Sequence, residues 1–193
     1  LTQLESSAEV LEMAAVRGVS TVFFVHDAES INVNDLKKIV NLPNKCLVIF
    51  NSLFTQNKFS ILLKEYPHQV IYPPIDLHNN QICNNKRTFV TSINPVRVKG
   101  GEIFSRLVEK MPTIDFLAVN GWHNPIEEGL NIRKLKNVTV WNKQDNIQNV
   151  FQVSKLLMVP SQWEEGFGRV AAEAMANNVP VIASRVGGLV EAV

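Results

Sequence analysis

Residues 156–183, LLMVPSQWEEGFGRVAAEAMANNVPVIA, read as a strand, a loop, a helix and a second strand. Residues 156–159 form a short continuous apolar run, 168–177 carry apolar side chains at helical spacing, and 179–183 are apolar again. A strand buried on both faces shows as an unbroken apolar run, and a helix between two such runs marks a parallel βαβ unit. In a parallel sheet, ligands sit at the carboxyl ends of strands, in the loops that lead into helices. The glycine-bearing loop 160–168 is such a place.

The same alternation extends outward through the chain. Upstream, residues 4–17 read as helix, 19–25 as strand, 33–40 as a short helix capped by Asn34, and 46–50 (CLVIF) as strand. Residues 52–64 read as helix and 69–72 as strand, stopped by Pro73-Pro74, where two successive prolines remove two backbone donors. The polar stretch that follows Asp76 to Lys86 marks a linker, placed at 79–86. A second series then runs strand 87–93, helix 101–111, strand 114–119, a weaker helix 125–135, strand 138–141 and helix 145–153. Gly187-Gly188 opens a last helix. The expected architecture is α/β, with parallel sheets covered by helices on both sides.

Composition narrows the function classes. The chain has 193 residues, 46% hydrophobic and 19% charged, enough for one large domain or two small ones with a real core. A net charge of +1 gives no global field for nucleic acid or an anionic membrane. Two cysteines, Cys46 and Cys83, have no metal-ligand spacing and give no disulfide framework, which suits a reducing compartment. No apolar run has membrane-spanning length, and the first residues, LTQLESSAEV, lack the basic leader and apolar core of a signal peptide. A cytoplasmic location is the expectation. The chain starts without methionine and stops just past a Gly-Gly-Leu turn, so it is expected to be a piece of something longer. Asn137-Val138-Thr139 matches a glycosylation sequon, which without a secretory signal carries nothing.

Three loops have chemistry in them. In the first, Gly166 and Gly168 flank Phe167, and Gly168 opens a helix whose first N–H groups and positive dipole end suit a phosphate. The spacing alone is equally that of a tight turn. Two acids add to it: Glu165 lies in the loop, and Glu173 follows eight positions later, beside the apolar stripe Val170, Ala171, Ala174 and Met175. A carboxylate so placed can accept from two neighbouring ribose hydroxyls; alternatively, Glu173 is a solvated acid paired with Arg169 at i,i+4. In the second loop, 94–101 (NPVRVKGG), Arg97 and Lys99 stand beside Gly100-Gly101 at a helix start. Ile103, Phe104, Leu107, Val108 and Met111 share one face of that helix. The loop reads either as a diphosphate cradle or as a solvated basic turn. The third is His26-Asp27 after the strand VFFV, an acid–base position or simply a local cap.

At this point residues 160–193 resemble the C-terminal signature of retaining glycosyltransferases of family four, the glycosyl transferases group 1, which have the GT-B fold. The resemblance rests on Pro160-Ser161, Glu165-x7-Glu173, Phe167-Gly168, Glu173-Ala174-Met175, Pro180-Val181-Ile182-Ala183-Ser184 and Gly187-Gly188. Lys99-Gly100 resembles the family's phosphate-binding step, and Asn51-Ser52-x-Phe54-Thr55 with Tyr72-Pro73-Pro74-Ile75-Asp76 resembles the end of its N-terminal domain. His26 falls where the family often has an active-site histidine. One departure stands out: Ile93-Asn94-Pro95 replaces the family's usual Gly-Arg, with Arg97 two residues before Lys99.

The resemblance implies two Rossmann-like parallel-sheet domains, both incomplete in this chain. Residues 1–78 would be the C-terminal half of the acceptor-side domain and 87–193 a truncated donor-binding domain. It implies transfer of a sugar from a nucleoside-diphosphate sugar (UDP-, GDP- or ADP-linked) to a saccharide, lipid or protein hydroxyl, with retention, in polysaccharide or glycoconjugate biosynthesis. It implies no cofactor and no metal. Glu173 would bind the donor ribose, Glu165 the sugar hydroxyls, and the backbone of Gly166, Phe167, Gly168, Arg169 and Val170 the sugar and pyrophosphate. Arg97 and Lys99 would neutralise the diphosphate, and His26 would face the sugar. Any peripheral membrane contact would come from the missing N-terminal part of the acceptor-side domain, and the chain alone would not turn over. Two other readings stay open: a non-catalytic nucleotide-sugar-binding module, and a sugar-nucleotide epimerase of the same fold.

Overall fold

A five-residue run, CLVIF, forms the centre of the first sheet, with Cys46, Val48 and Phe50 buried on one face and Leu47 exposed on the other. In the computed structural model, which describes residues 7–28, 46–75, 87–121 and 132–193, the chain divides into two units. The first comprises Leu1–Pro74, Glu164–Gly168 and Gly187–Ala192; the second comprises Ile75–Trp163, Arg169–Val186 and Val193.

The first unit runs α1 (Ser7–Val16), β1 (Thr21–Val25), β2 (Cys46–Phe50), α2 (Leu53–Leu63) and β3 (His68–Val70). The strands lie in the order β1-β2-β3, all parallel, with Val25 opposite Phe50 and Phe50 opposite Val70. Phe23, Val25, Val48 and Phe50 are buried with Leu11 of α1 and with Phe59 and Leu63 of α2. Each of these large side chains contributes about 1.5–3 kcal/mol by leaving water. Cys46 is a buried free thiol.

The second unit holds β4 (Phe89–Ile93), a 3-10 turn at Arg97–Lys99, α3 (Gly101–Lys110), β5 (Phe116–Val119) and a 3-10 turn at Ile132–Lys134. It continues with β6 (Val138–Trp141), α4 (Gln148–Val153), β7 (Ser154–Val159), α5 (Arg169–Ala176) and β8 (Val181–Ala183). Its sheet is wholly parallel in the order β6-β5-β4-β7-β8. β5 shows why: all four of its residues are buried, Phe116 and Ala118 in one cluster with Phe104 and Val108 of α3. Leu117 and Val119 enter the opposite cluster with Val150 of α4. Two covered faces require helices on both sides of the sheet. The last element, α6 (Leu189–Ala192), belongs to the first unit.

Several boundaries and faces differ from the sequence reading. β7 begins two residues early, because the Ser154 hydroxyl bonds Thr91 Oγ1 at 2.7 Å and the Val150 carbonyl at 2.7 Å, so a polar residue is buried without loss. β3 ends at Val70 rather than residue 72, as Tyr72 turns to a carboxylate instead of the ladder. On α3, Phe104 and Val108 are buried, but Ile103 and Met111 are exposed, a narrower apolar stripe than five residues. On α5, Ala171 and Ala174 are buried and Met175 is exposed, so small residues alone set the close approach. The expected helix 33–40, the linker 79–86 and Cys83 lie outside the described residues, as does most of helix 125–135. No helix among the described residues is long and apolar enough to cross a membrane.

Candidate functional site

The strand order of the second sheet reverses between β4 and β7, which makes that pair of strand ends the topological switch point of a doubly wound sheet. Ligands of such sheets bind in the crevice outside the carboxyl ends there. The loops leaving β4 and β7 are the two basic and glycine-bearing loops singled out by sequence. They are joined directly: Gln162 N and Trp163 N both donate to the Val98 carbonyl, at 2.9 and 3.0 Å.

The β4 loop is built around Gly100. Its φ is +79°, and a Cβ there would lie 2.0 Å from the Pro160 carbonyl oxygen, so only glycine passes. Gly100 is also the cap of α3, which puts the helix's first amides beside Arg97 and Lys99. Lys99 Nζ stands 5.9 Å from the centre of the Trp163 ring, a cation–π distance that ties it to the other loop. Arg97 is exposed and ion-paired with Glu102. Asn94, at the end of β4, is 6% exposed with φ +54°, and neither its amide nitrogen nor its oxygen has a hydrogen-bond partner. This buried carboxamide at the strand's carboxyl end was legible only as a departure from the family pattern.

In the second unit α5 begins at Arg169, so Glu173 lies about one turn in. Arg169 Nε donates to Glu173 Oε1 at 2.6 Å, and the two side chains are 66% and 19% exposed. The i,i+4 pair is therefore made. Its order is the weaker one, with the cation at the positive end of the helix dipole, and pairs of this kind contribute only a few tenths of a kcal/mol. Val170 is half-buried on the same helix.

Residues 164–168 belong to the first unit, with His26. Here the close approach is to Gly166, where a Cβ would fall 2.3 Å from the His26 carbonyl oxygen. That carbonyl accepts from Asn51 Nδ2 at 2.8 Å, and the His26 ring lies 6.1 Å from Phe24. His26 thus meets the loop through its backbone. Ser52 Oγ donates to the Gly166 carbonyl at 2.5 Å, and the Glu165 carbonyl accepts from Gly188 N at 2.7 Å. The Phe167 ring stands 5.5 Å from that of Tyr72. Glu165 is half-buried in this loop. Asn51, Ser52 and Thr55 entered the sequence reading only as part of a family resemblance, because the partners of Asn51 and Ser52 lie far along the chain. The sequon at Asn137 is also occupied: its Nδ2 donates to the carbonyls of Val108, Met111 and Ile114 at 3.0–3.2 Å.

The family described as Glycosyl transferases group 1 matches residues 116–193. An uncharacterized glycosyltransferase of Methanocaldococcus jannaschii is 32% identical over 164 residues, 79% of this chain and 38% of that protein. A D-inositol 3-phosphate glycosyltransferase of Mycobacterium leprae is 33% identical over 119 residues, 56% of this chain and 27% of its own length. The chain therefore spans well under half of these relatives. Among solved structures, Anabaena Alr3699/HepE in complex with UDP and glucose superposes with a TM-score of 0.74 at 23% identity, covering 96% of this chain and 59% of that one. Sucrose-phosphate synthase from Thermosynechococcus elongatus gives 0.70 at 22% identity, covering 90% of this chain and 53% of that one. Residues 116–193 belong to the glycosyl transferases group 1 family, on a chain that has the GT-B glycosyltransferase fold.

Proposed function

We propose that this chain is a fragment of a glycosyltransferase, carrying its donor-binding part, that moves a sugar from a nucleoside-diphosphate sugar to an acceptor hydroxyl, with retention and without a metal ion. The observation that carries the reading is the start of α5: a glycine-bearing loop runs into the helix N-terminus, with Glu165 before it and Glu173 one turn inside it. Residues 1–78 are assigned to the acceptor side and 87–193 to the donor side.

The roles follow from charge and direction. The first N–H groups of a helix have no partner within it, so those near Arg169 and Val170, together with the amides of Gly166, Phe167 and Gly168, suit the sugar and the pyrophosphate oxygens. Lys99 and Arg97, at the other switch-point loop, supply the positive charge that a leaving diphosphate needs. Glu173 takes the two ribose hydroxyls. Its pair with Arg169 is weak, so hydroxyls displace it at little cost. Glu165 binds hydroxyls of the transferred sugar, and His26 faces that sugar. The departing phosphate then assists the acceptor hydroxyl, so that no second carboxylate is required. The UDP-bound neighbour favours a uridine donor, which remains part of the proposal.

Saturation-transfer NMR with UDP-, GDP- and ADP-sugars tests the reading. Saturation of ribose and sugar protons by at least one donor is expected. Equal absence of signal for all three, on a folded chain, overturns it.

A further inference from the structure

The loop 164–168 is held by a hydrogen-bonded network that the donor reading does not use. Ser52 is the N-cap of α2, and its hydroxyl accepts from Thr55 N at 3.0 Å while donating to the Gly166 carbonyl at 2.5 Å. Thr55 Oγ1 donates to Asn51 Oδ1 at 3.0 Å, and Asn51 Nδ2 donates to the His26 carbonyl at 2.8 Å. Asn51, Ser52 and Thr55 are 4%, 0% and 0% exposed; the bonds of Ser52 and Thr55 are buried, and that of Asn51 to His26 is partly buried.

A second support comes from α6. The Glu191 carboxylate accepts from Leu53 N at 2.8 Å and Phe54 N at 2.6 Å, so with Ser52 it satisfies the first three amides of α2. The turn that carries Glu191 also sends Gly188 N to the Glu165 carbonyl at 2.7 Å. Two consecutive carbonyls of the loop, Glu165 and Gly166, are thus fixed by Gly188 and Ser52. A trans peptide is planar with its N–H opposite its C=O. The N–H groups of Gly166 and Phe167, which share those two peptide planes, therefore point away from both supports.

We propose that Ser52 and Glu191 are positioning residues: through the Gly166 carbonyl and the α2 N-terminus they aim the Gly166 and Phe167 amides at an oxyanion of the donor's diphosphate. This rests on the donor reading above, and it adds a buried network that orients the binding amides without touching the ligand. Preorganised amides of this kind cost no reorganisation when an anion arrives.

The test uses the whole chain, Ser52→Ala, Ser52→Thr and Glu191→Gln, with UDP and uridine as probes. Hydrogen exchange without ligand is measured first: Ser52→Ala is expected to speed exchange across 164–168 about tenfold, with 116–119 unchanged, the scale set by one buried bond. UDP affinity then falls about tenfold in Ser52→Ala while uridine affinity holds, and Ser52→Thr restores both readouts. Unchanged loop exchange in Ser52→Ala overturns the proposal, as does an equal loss for UDP and uridine. Should Ser52→Ala not fold, Glu191→Gln carries the same two comparisons with the same criteria. If the unaltered chain binds no nucleotide, the donor reading falls, and the exchange result alone decides whether Ser52 positions the loop.

Discussion

Gly166 and His26 meet backbone to backbone: a methyl group on Gly166 would stand 2.3 Å from the His26 carbonyl oxygen and 3.1 Å from its carbon. Neither atom can yield as a flexible side chain would. Gly166→Ala is expected to cost about 1–3 kcal/mol, the range for forcing a methyl into a filled space. Urea denaturation followed by tryptophan fluorescence reads it as a lower midpoint, and an unchanged midpoint would show that the loop sits elsewhere in solution.

Gly100 is the stricter position. Alanine there meets both a left-handed backbone, at roughly 1–2 kcal/mol, and the Pro160 carbonyl oxygen at 2.0 Å. Gly100→Ala is therefore expected to destabilise the chain by about 3 kcal/mol or more. Thermal melting beside Gly166→Ala ranks the two, with Gly100→Ala the lower.

Asn137 closes the end of α3 by giving its amide to three carbonyls. Asn137→Ala removes these bonds while the Val108 and Met111 carbonyls keep backbone donors, and a loss of about 1 kcal/mol is expected in a urea titration.

Tyr72 gives a pH dependence. Its hydroxyl donates to Glu191 Oε2 at 2.9 Å, and that bond, then partial desolvation, then the carboxylate's charge raise its pKa above the ordinary 10.0. A raised folded value means that the stabilisation is complete below the unfolded pKa and is lost as pH climbs through the folded one. The Tyr72–Glu191 bond should hold to pH 10 and fail above it. Ultraviolet titration of phenolate absorbance, compared between the chain and Tyr72→Phe, is expected to lose a late-titrating phenol.

The strands were the most legible part of the sequence. Residues 46–50 and 138–141 read correctly because both are too short for a helix and rich in the β-branched and aromatic side chains that strands favour. The glycine loop before α5 was also legible, since Gly166 and Gly168 sit at a strand-to-helix turn. The choice between a ribose-binding and an ion-paired Glu173 was not, because both use the same spacing, and the pair with Arg169 is present. Still less legible was the support of the loop. Ser52 and Gly166 are separated by 114 positions, and Glu191 and Phe54 by 137, so no local period signals either bond. Ile103 and Met175 were assigned to the core by period alone, which cannot tell the centre of an apolar stripe from its exposed edge.

The central claim is that Glu173 and the start of α5 hold a nucleotide-sugar donor. Calorimetric titration of UDP-glucose into the chain and into Glu173→Ala tests it most directly. The account predicts measurable binding by the unaltered chain and a loss of about tenfold or more on removing the carboxylate, whose two charged hydrogen bonds to ribose disappear. Binding of equal affinity to both proteins would contradict it.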